Sequence, residues 1–193
     1  ALSCSTFMLY LGVDKVYDLP HHTIFFAEDY RNNVESVFEG RKLNGDISIY
    51  IRNADVTDPT LSPEGHSALY ILVPVPNLRG QPDWEDESSA FRELILDSLA
   101  KRAGMTDLRE HIQVERMVTP LDWRDAGNVY EGATFNLAHN WPQLIYLRPR
   151  NKFEEFDNCY LVGGGTHPGS GLPTIYQSGR IAANLITGNG SAG

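Results

Sequence analysis

The stretch CYLVGGGTHPGSGLPTIYQSGRIAANLI, from Cys159 to Ile186, limits what this chain can fold into more than any other. It reads as a short apolar strand, a turn dense in glycine, and a helix with Pro173 near its first position, where a missing N–H costs nothing. A glycine turn that opens a helix leaves backbone N–H groups pointing outward with no side chain in the way, which suits a phosphate or the edge of a cofactor. A plain αβ connection with no ligand is the alternative.

Known phosphate and nucleophile motifs do not match this turn. A phosphate-cradling G-x-x-x-x-G-K-S/T loop needs a lysine that is missing after Gly163 and Gly165. The nucleophile elbow G-x-S-x-G fails because Pro168 stands two before Ser170. A literal G-x-G-x-x-G spans Gly188 to Gly193, but no strand precedes it and no helix can follow. The helix after the turn carries Ser178, Gly179, Ala182 and Ala183, small residues that allow close packing.

Strand character is expected at residues 6–12, 23–27, 47–52, 68–75, 112–118 and 143–148. Ile47, Ile49 and Ile51 alternate onto one face, whereas Ile24, Phe25 and Phe26 are apolar on both. Residues 30–38 fit a short helix before a tight turn at Asn44-Gly45, and residues 55–66 read as a loop. The clearest helix lies within residues 83–104: Phe91, Leu94, Ile95, Leu99 and Arg102 share a face, acidic residues crowd its first turn, and Gly104 can close it. A short helix and a turn are expected in residues 119–136. The expected fold class is α/β with α+β character: a mixed sheet flanked by helices, followed by a strand, a glycine turn and a helix.

At 193 residues with 41% hydrophobic side chains, the chain can bury a core. Its net charge of −9 argues against nucleic acid, since the only basic cluster, Arg148, Arg150 and Lys152, is short. Two distant cysteines, Cys4 and Cys159, suit reduced thiols and a reducing compartment. No run approaches the ~18 apolar residues of a membrane span. The histidines show no zinc spacing, so no metal site is expected. The chain opens ALSC without Met and enters a strand at once, as a piece of something longer would.

NCYLVGGGTHPGSGLPTIYQSGRIAANLI resembles the carboxy-terminal flavin-binding signature of the bacterial-type phytoene (carotenoid) desaturases. The likeness continues, in order, through HHTIFFAEDYR, VTDPTLSPEG, YILVPVPNL, RMVTPLDWRD and RPRNK. It implies residues 1–150 as a portion of the substrate-binding domain and 151–193 as the part that completes a Rossmann-type FAD-binding domain, whose amino-terminal portion lies elsewhere. The implied activity is dehydrogenation of a lipophilic polyene, with hydride transfer to FAD, by a cytoplasmic enzyme bound peripherally to a membrane surface.

The same resemblance puts Gly163, Gly164, Gly165 and Thr166 near the cofactor's diphosphate and ribityl chain, and Gly171, Leu172, Thr174 and Ile175 at its ring. Many related flavoproteins carry an acidic residue where this chain has Gly164, so a ribityl contact here would be backbone. A helix start would stabilise reduced flavin, with Thr174 and Ile175 as donors beside Pro173. Phe25, Phe26, Tyr50 and Tyr70 are candidates for lining a tunnel, or plain core. His167 stands for turn stabilisation or proton transfer, and Asp122 and Arg124 for chemistry or a helix cap with surface charge. A related saturase, isomerase or amine oxidase, and a non-catalytic module without flavin, remain open alternatives.

Overall fold

A computed structural model describes residues 1–40, 45–80 and 82–188. Two compact units divide the chain: Cys4–Thr134, and Ala1–Ser3 together with Phe135–Gly193.

The first unit is built on five strands: β1 (Ser5–Val13), β2 (His22–Phe25), β3 (Ile49–Asn53), β4 (Ser67–Val75) and β5 (Ile112–Val118). Their spatial order is β2-β3-β4-β1-β5, and every pairing is antiparallel. The α+β character is as expected, but the sheet is not mixed. Alternation sets its faces. Phe7, Leu9, Leu11 and Val13 of β1 are buried in one core with Ile49, Ile51, Ile71 and Val73.

That core is closed by α2 (Trp84–Ala103). Asp83 caps its start by accepting the Glu85 N–H at 3.1 Å, and Gly104 ends it at φ +68°, a left-handed conformation that glycine adopts without strain. Phe91, Ile95, Leu96 and Leu99 face the sheet, with Phe91 edge-on to Phe7 at 5.0 Å. Leu96 completes a face wider than the expected spacing. Arg102 leaves the core at its end and donates to the Ile47 carbonyl at 2.8 Å. Truncating Leu99, fully buried, to alanine costs about 2–5 kcal/mol.

Helix α1 (Tyr30–Phe38) forms where expected. Its N-cap is Asp29, which accepts from the Asn32 N–H at 3.1 Å. Of the Asn44-Gly45 turn, Asn44 lies outside the described residues and Gly45 has φ +90°. The loop at 55–66 contains two short 3-10 turns, Ala54–Val56 and Pro59–Leu61. After α3 (Leu108–His111) and β5 comes α4 (Pro120–Asp125).

In the second unit two expected strands are absent. Residues 143–148 hold the end of one 3-10 turn, Trp141–Gln143, and all of a second, Ile145–Leu147, and are flanked by Pro142 and Pro149, which cannot donate to a ladder. Residues 159–162 make only one bridge, Lys152 to Tyr160. A strand needs a partner, and the described residues of this unit offer no ladder to join. Helix α5 (Leu172–Thr187) follows the glycine turn as expected.

Candidate functional site

The glycine turn is bound to its own unit through the backbone. Gly163, Gly169 and Gly171 have φ of +114°, +142° and +97°, values open to glycine and strained for other residues. Thr166 is buried and folds the turn back on itself: its N–H and its hydroxyl both donate to the Gly163 carbonyl, at 3.2 and 2.9 Å. A Cβ on Gly163 would meet nothing within 4 Å, and one on Gly165 would touch Asn136 at 3.6 Å, so these positions present bare backbone. Gly164 is more enclosed, with the Ser170 Cβ 3.3 Å from such an atom.

Helix α5 begins at Gly171 with no side-chain cap. Ile175 is expected from sequence to be a free donor, but its N–H already donates to the Gly171 carbonyl at 2.9 Å. Among the described residues, the N–H groups of Leu172 and Thr174 have no protein acceptor. The Thr174 hydroxyl is turned inward and donates to the Gly171 carbonyl at 2.8 Å. Leu172 is 71% exposed, and Ile175 is partly so, which puts apolar surface beside the free donors. The helix dipole favours negative charge at this end.

Two residues that sequence reasoning did not assign to the site hold the turn. Asn151, buried, donates through its amide to Leu161 O at 3.1 Å, Thr166 Oγ1 at 3.3 Å and His167 O at 3.0 Å. Buried Arg148 donates to Gly164 O at 3.0 Å and Leu137 O at 3.2 Å. The RPRNK block supplies both, but its surface-like composition hides their burial.

His167 is fastened on several sides. Its N–H donates to Pro149 O at 2.9 Å, its Nδ1 lies 2.9 Å from Ile145 O, and its ring stacks on Tyr146 at 5.1 Å. A carbonyl can only accept, so Nδ1 carries the proton and Nε2 is the basic atom. His139 Nε2 meets the Ser170 hydroxyl. Burial and the Arg148 charge both lower the His139 pKa, so this ring is neutral near pH 7.

Asp122 and Arg124 belong to the sheet unit. Asp122 Oδ2 accepts from the Thr119 N–H and hydroxyl, both at 2.7 Å, while the Asp122 N–H donates to Thr119 Oγ1 at 3.4 Å, a reciprocal cap of α4. Arg124 forks onto neighbouring exposed Asp125 at 2.6 and 2.9 Å. Both residues therefore have structural partners that account for their charge.

The sheet face opposite α2 carries Tyr10, Tyr50, Tyr70 and Leu72. Beside it, α1 and the sheet enclose a groove of about 310 Å³ lined by Ile24, Phe26, Tyr30, Val34, Phe38 and Leu72 among others, with no charged side chain. Phe25, a tunnel candidate with Phe26, instead packs on the core face beneath Arg102, whose guanidinium lies 5.4 Å from its ring.

Among the described residues no group of three His, Cys, Asp or Glu side chains could hold a metal, and no helix is long and apolar enough to cross a membrane. Both cysteines are free thiols. The arrangement at α5 is a backbone cradle with an apolar rim, suited to binding a planar or anionic group. The Nε2 of His167 is the one basic atom that the turn itself contributes.

No family model matches the chain. Individual proteins do. It is 56% identical over 185 residues to a 4,4'-diapophytoene desaturase (4,4'-diapolycopene-forming) of Methylomonas sp, and 48% identical over 187 residues to an all-trans-zeta-carotene desaturase of Myxococcus xanthus. Identity to a phytoene desaturase (lycopene-forming) of Pseudescherichia vulneris is 38% over 188 residues. Each match covers 96% of this chain but only 36%, 35% and 38% of the relative's own length. Agreement at this level along almost the whole chain, with three proteins of one kind, means that the chain belongs to the carotenoid desaturase family.

Proposed function

We propose that this chain is the carboxy-terminal portion of an FAD-dependent carotenoid desaturase that dehydrogenates a long polyene. The observation that carries the reading is the start of α5, where Gly171 at φ +97° leaves the Leu172 and Thr174 N–H groups without protein acceptors beside an apolar rim. The residues fit the group: bare glycine backbone admits close approach, and free donors at a helix start favour negative charge. When bound, FAD supplies the two-electron acceptor for removing hydrogen from a saturated carbon pair.

The chain's own part is binding, orientation and exclusion of water. Gly163, Gly164, Gly165 and Thr166 would border the cofactor's polar chain, with the Gly164 and Gly165 N–H groups as its donors because those of Gly163 and Thr166 are taken by Ser178 Oγ and Gly163 O, and Leu172, Thr174 and Ile175 would border its ring. Leu172 and Ile175 keep water from the reacting face. His167 fixes the turn through Ile145 and Pro149, and its Nε2 remains available to hold a proton. In this reading residues 1–150 are mainly substrate-binding and 151–193 complete the cofactor domain. The ties from the turn to Leu137, Ile145, Arg148 and Pro149 extend the cofactor side upstream.

The uncharged groove beside Tyr50 suits a hydrocarbon, which has no group for a charge to recognise. Such a substrate resides in lipid, so the complete enzyme is a peripheral membrane protein in the cytoplasm. The test is expression of the complete polypeptide. It should purify yellow, with stoichiometric flavin, and convert a colourless polyene into coloured product, whereas the 193-residue chain alone should take up little flavin. A colourless, inactive complete protein would overturn the reading.

A further inference from the structure

Arg148 is only 3% exposed, yet among the described residues no carboxylate pairs with it. Its acceptors are the carbonyls of Gly164 and Leu137, which occupy part of the guanidinium's donor fork and supply dipoles but no opposing charge. Burial lowers its pKa and no neighbouring charge offsets this. Its titratable neighbour His139 is kept neutral and occupied by Ser170. Arg150, two residues on, shows the contrast: it is exposed and balanced by Glu154 at 2.9 Å.

The buried guanidinium also spans the glycine turn. It holds Gly164 on one side, and its Nε lies 3.4 Å from where a Cβ on Gly169 would stand. It lines a cavity of about 700 Å³ with Leu137, Leu147 and Phe153, on whose wall the carboxylates Glu154 and Glu155 are exposed. A buried charge left without a counter-ion is costly, and carbonyl dipoles alone do not neutralise it. A neutral donor could satisfy those two carbonyls without bringing a charge into the interior.

We propose that Arg148 is the counter-charge of an anionic cofactor seated on the Gly163–Gly171 turn, and a positioning residue for it. On the flavin reading above, on which this rests, that cofactor is a dinucleotide whose negative charge the guanidinium balances while its grip on Gly164 sets the turn's shape. The free protein then carries an unbalanced charge that binding relieves.

The experiment uses the complete polypeptide with Arg148→Met and Arg148→Lys. FAD affinity is read by quenching of flavin fluorescence, and thermal midpoints are recorded for the free and FAD-loaded forms. Arg148→Met should weaken FAD binding about thirtyfold or more, with a free-form midpoint unchanged or raised, since an uncompensated buried charge has gone. Arg148→Lys, which keeps the charge and gives up the fork, should recover most of that affinity.

A purely structural arginine behaves differently: Arg148→Met would then lower both midpoints equally and leave FAD affinity unchanged, which overturns the proposal. Should Arg148→Met fail to fold, Arg148→Lys decides alone. Near-normal affinity supports the charge, and a loss of about thirtyfold with an unchanged free-form midpoint overturns it. If the unaltered protein takes up no FAD, the flavin reading falls and this inference falls with it.

Discussion

The Gly163 N–H donates to the Ser178 hydroxyl at 2.9 Å, and that hydroxyl donates in turn to the Ile175 carbonyl at 2.7 Å. The first glycine of the turn is thus fastened to the second turn of α5 by one completely buried side chain. Serine is a mediocre residue inside a helix, and here its back-bonding supplies the relay. Ser178→Ala should lower stability by about 1–3 kcal/mol by leaving the Gly163 N–H unsatisfied. Urea unfolding measures the loss, and faster amide exchange at Gly163 locates it.

Gly171 tests the turn by conformation. A Cβ there would touch only Thr174 Oγ1, at 3.6 Å, so room is available and the obstacle is φ +97°. Both Gly171→Ala and Gly171→Val should cost about 1–3 kcal/mol, and in the complete polypeptide both should remove flavin. Gly179 is the internal control: it lies within α5 and nothing stands within 4 Å of its added Cβ. Gly179→Ala should leave the isolated chain as stable or more so, by up to about 1 kcal/mol. Loss of flavin from Gly171→Val with retention in Gly171→Ala would point to bulk and away from backbone conformation.

What sequence could reveal follows from how local each cause is. The bounds of α2 are set by Asp83, by Gly104 and by charges in its end turns, all within reach of neighbouring residues. Ile47, Ile49 and Ile51, whose alternation is visible in the sequence, all enter the core. Residues 159–162 have equal strand character, but a strand is a relation between segments and no paired segment is described in their unit. Ile24, Phe25 and Phe26 show that apolarity is legible while its direction is not: Phe25 packs into the core and its neighbours line the groove. The glycine turn could be read because its backbone demands are local. Arg148 and Asn151 could not, since their burial depends on chain that returns over them.

Asp46 gives the sheet unit a definite acid response. Its two carboxylate oxygens accept the N–H groups of Glu28 and Asp29, at 2.9 and 2.8 Å, just before α1. The Asp29 and Glu28 N–H groups hold its pKa below the usual carboxylate value, with a smaller contribution from Arg102. A depressed folded-state pKa means that the unfolded chain binds the proton first. The contribution to stability is therefore complete above the unfolded value, near 3.9, and is lost as pH falls through the folded one. Urea midpoints recorded from about pH 6 to about pH 2 should fall less steeply for Asp46→Asn, which should also start lower at pH 6. Parallel curves for the two proteins would show that Asp46 does not contribute to the acid limb.

On the proposed reading, the groove between α1 and the open sheet face bears on how a water-insoluble substrate would be reached. Phe26 and Phe38 at its margin are 59% and 62% exposed, and no charged side chain lines it. No described helix is long and apolar enough to cross a bilayer, and on the proposed reading this groove is the chain's apolar surface for contact with lipid. The chain's net charge of −9 repels anionic headgroups, which leaves apolar contact as the attraction and makes added salt a weak competitor. The complete enzyme should therefore float with liposomes carrying a colourless polyene, remain with them in high salt, and form coloured product there. Phe38→Asp places a charge at the groove margin and should reduce co-flotation and product while leaving flavin content intact, because Phe38 lies in the sheet unit and the glycine turn in the other. An enzyme that stays in solution and oxidises a small amine would show both the groove and the polyene assignment to be wrong.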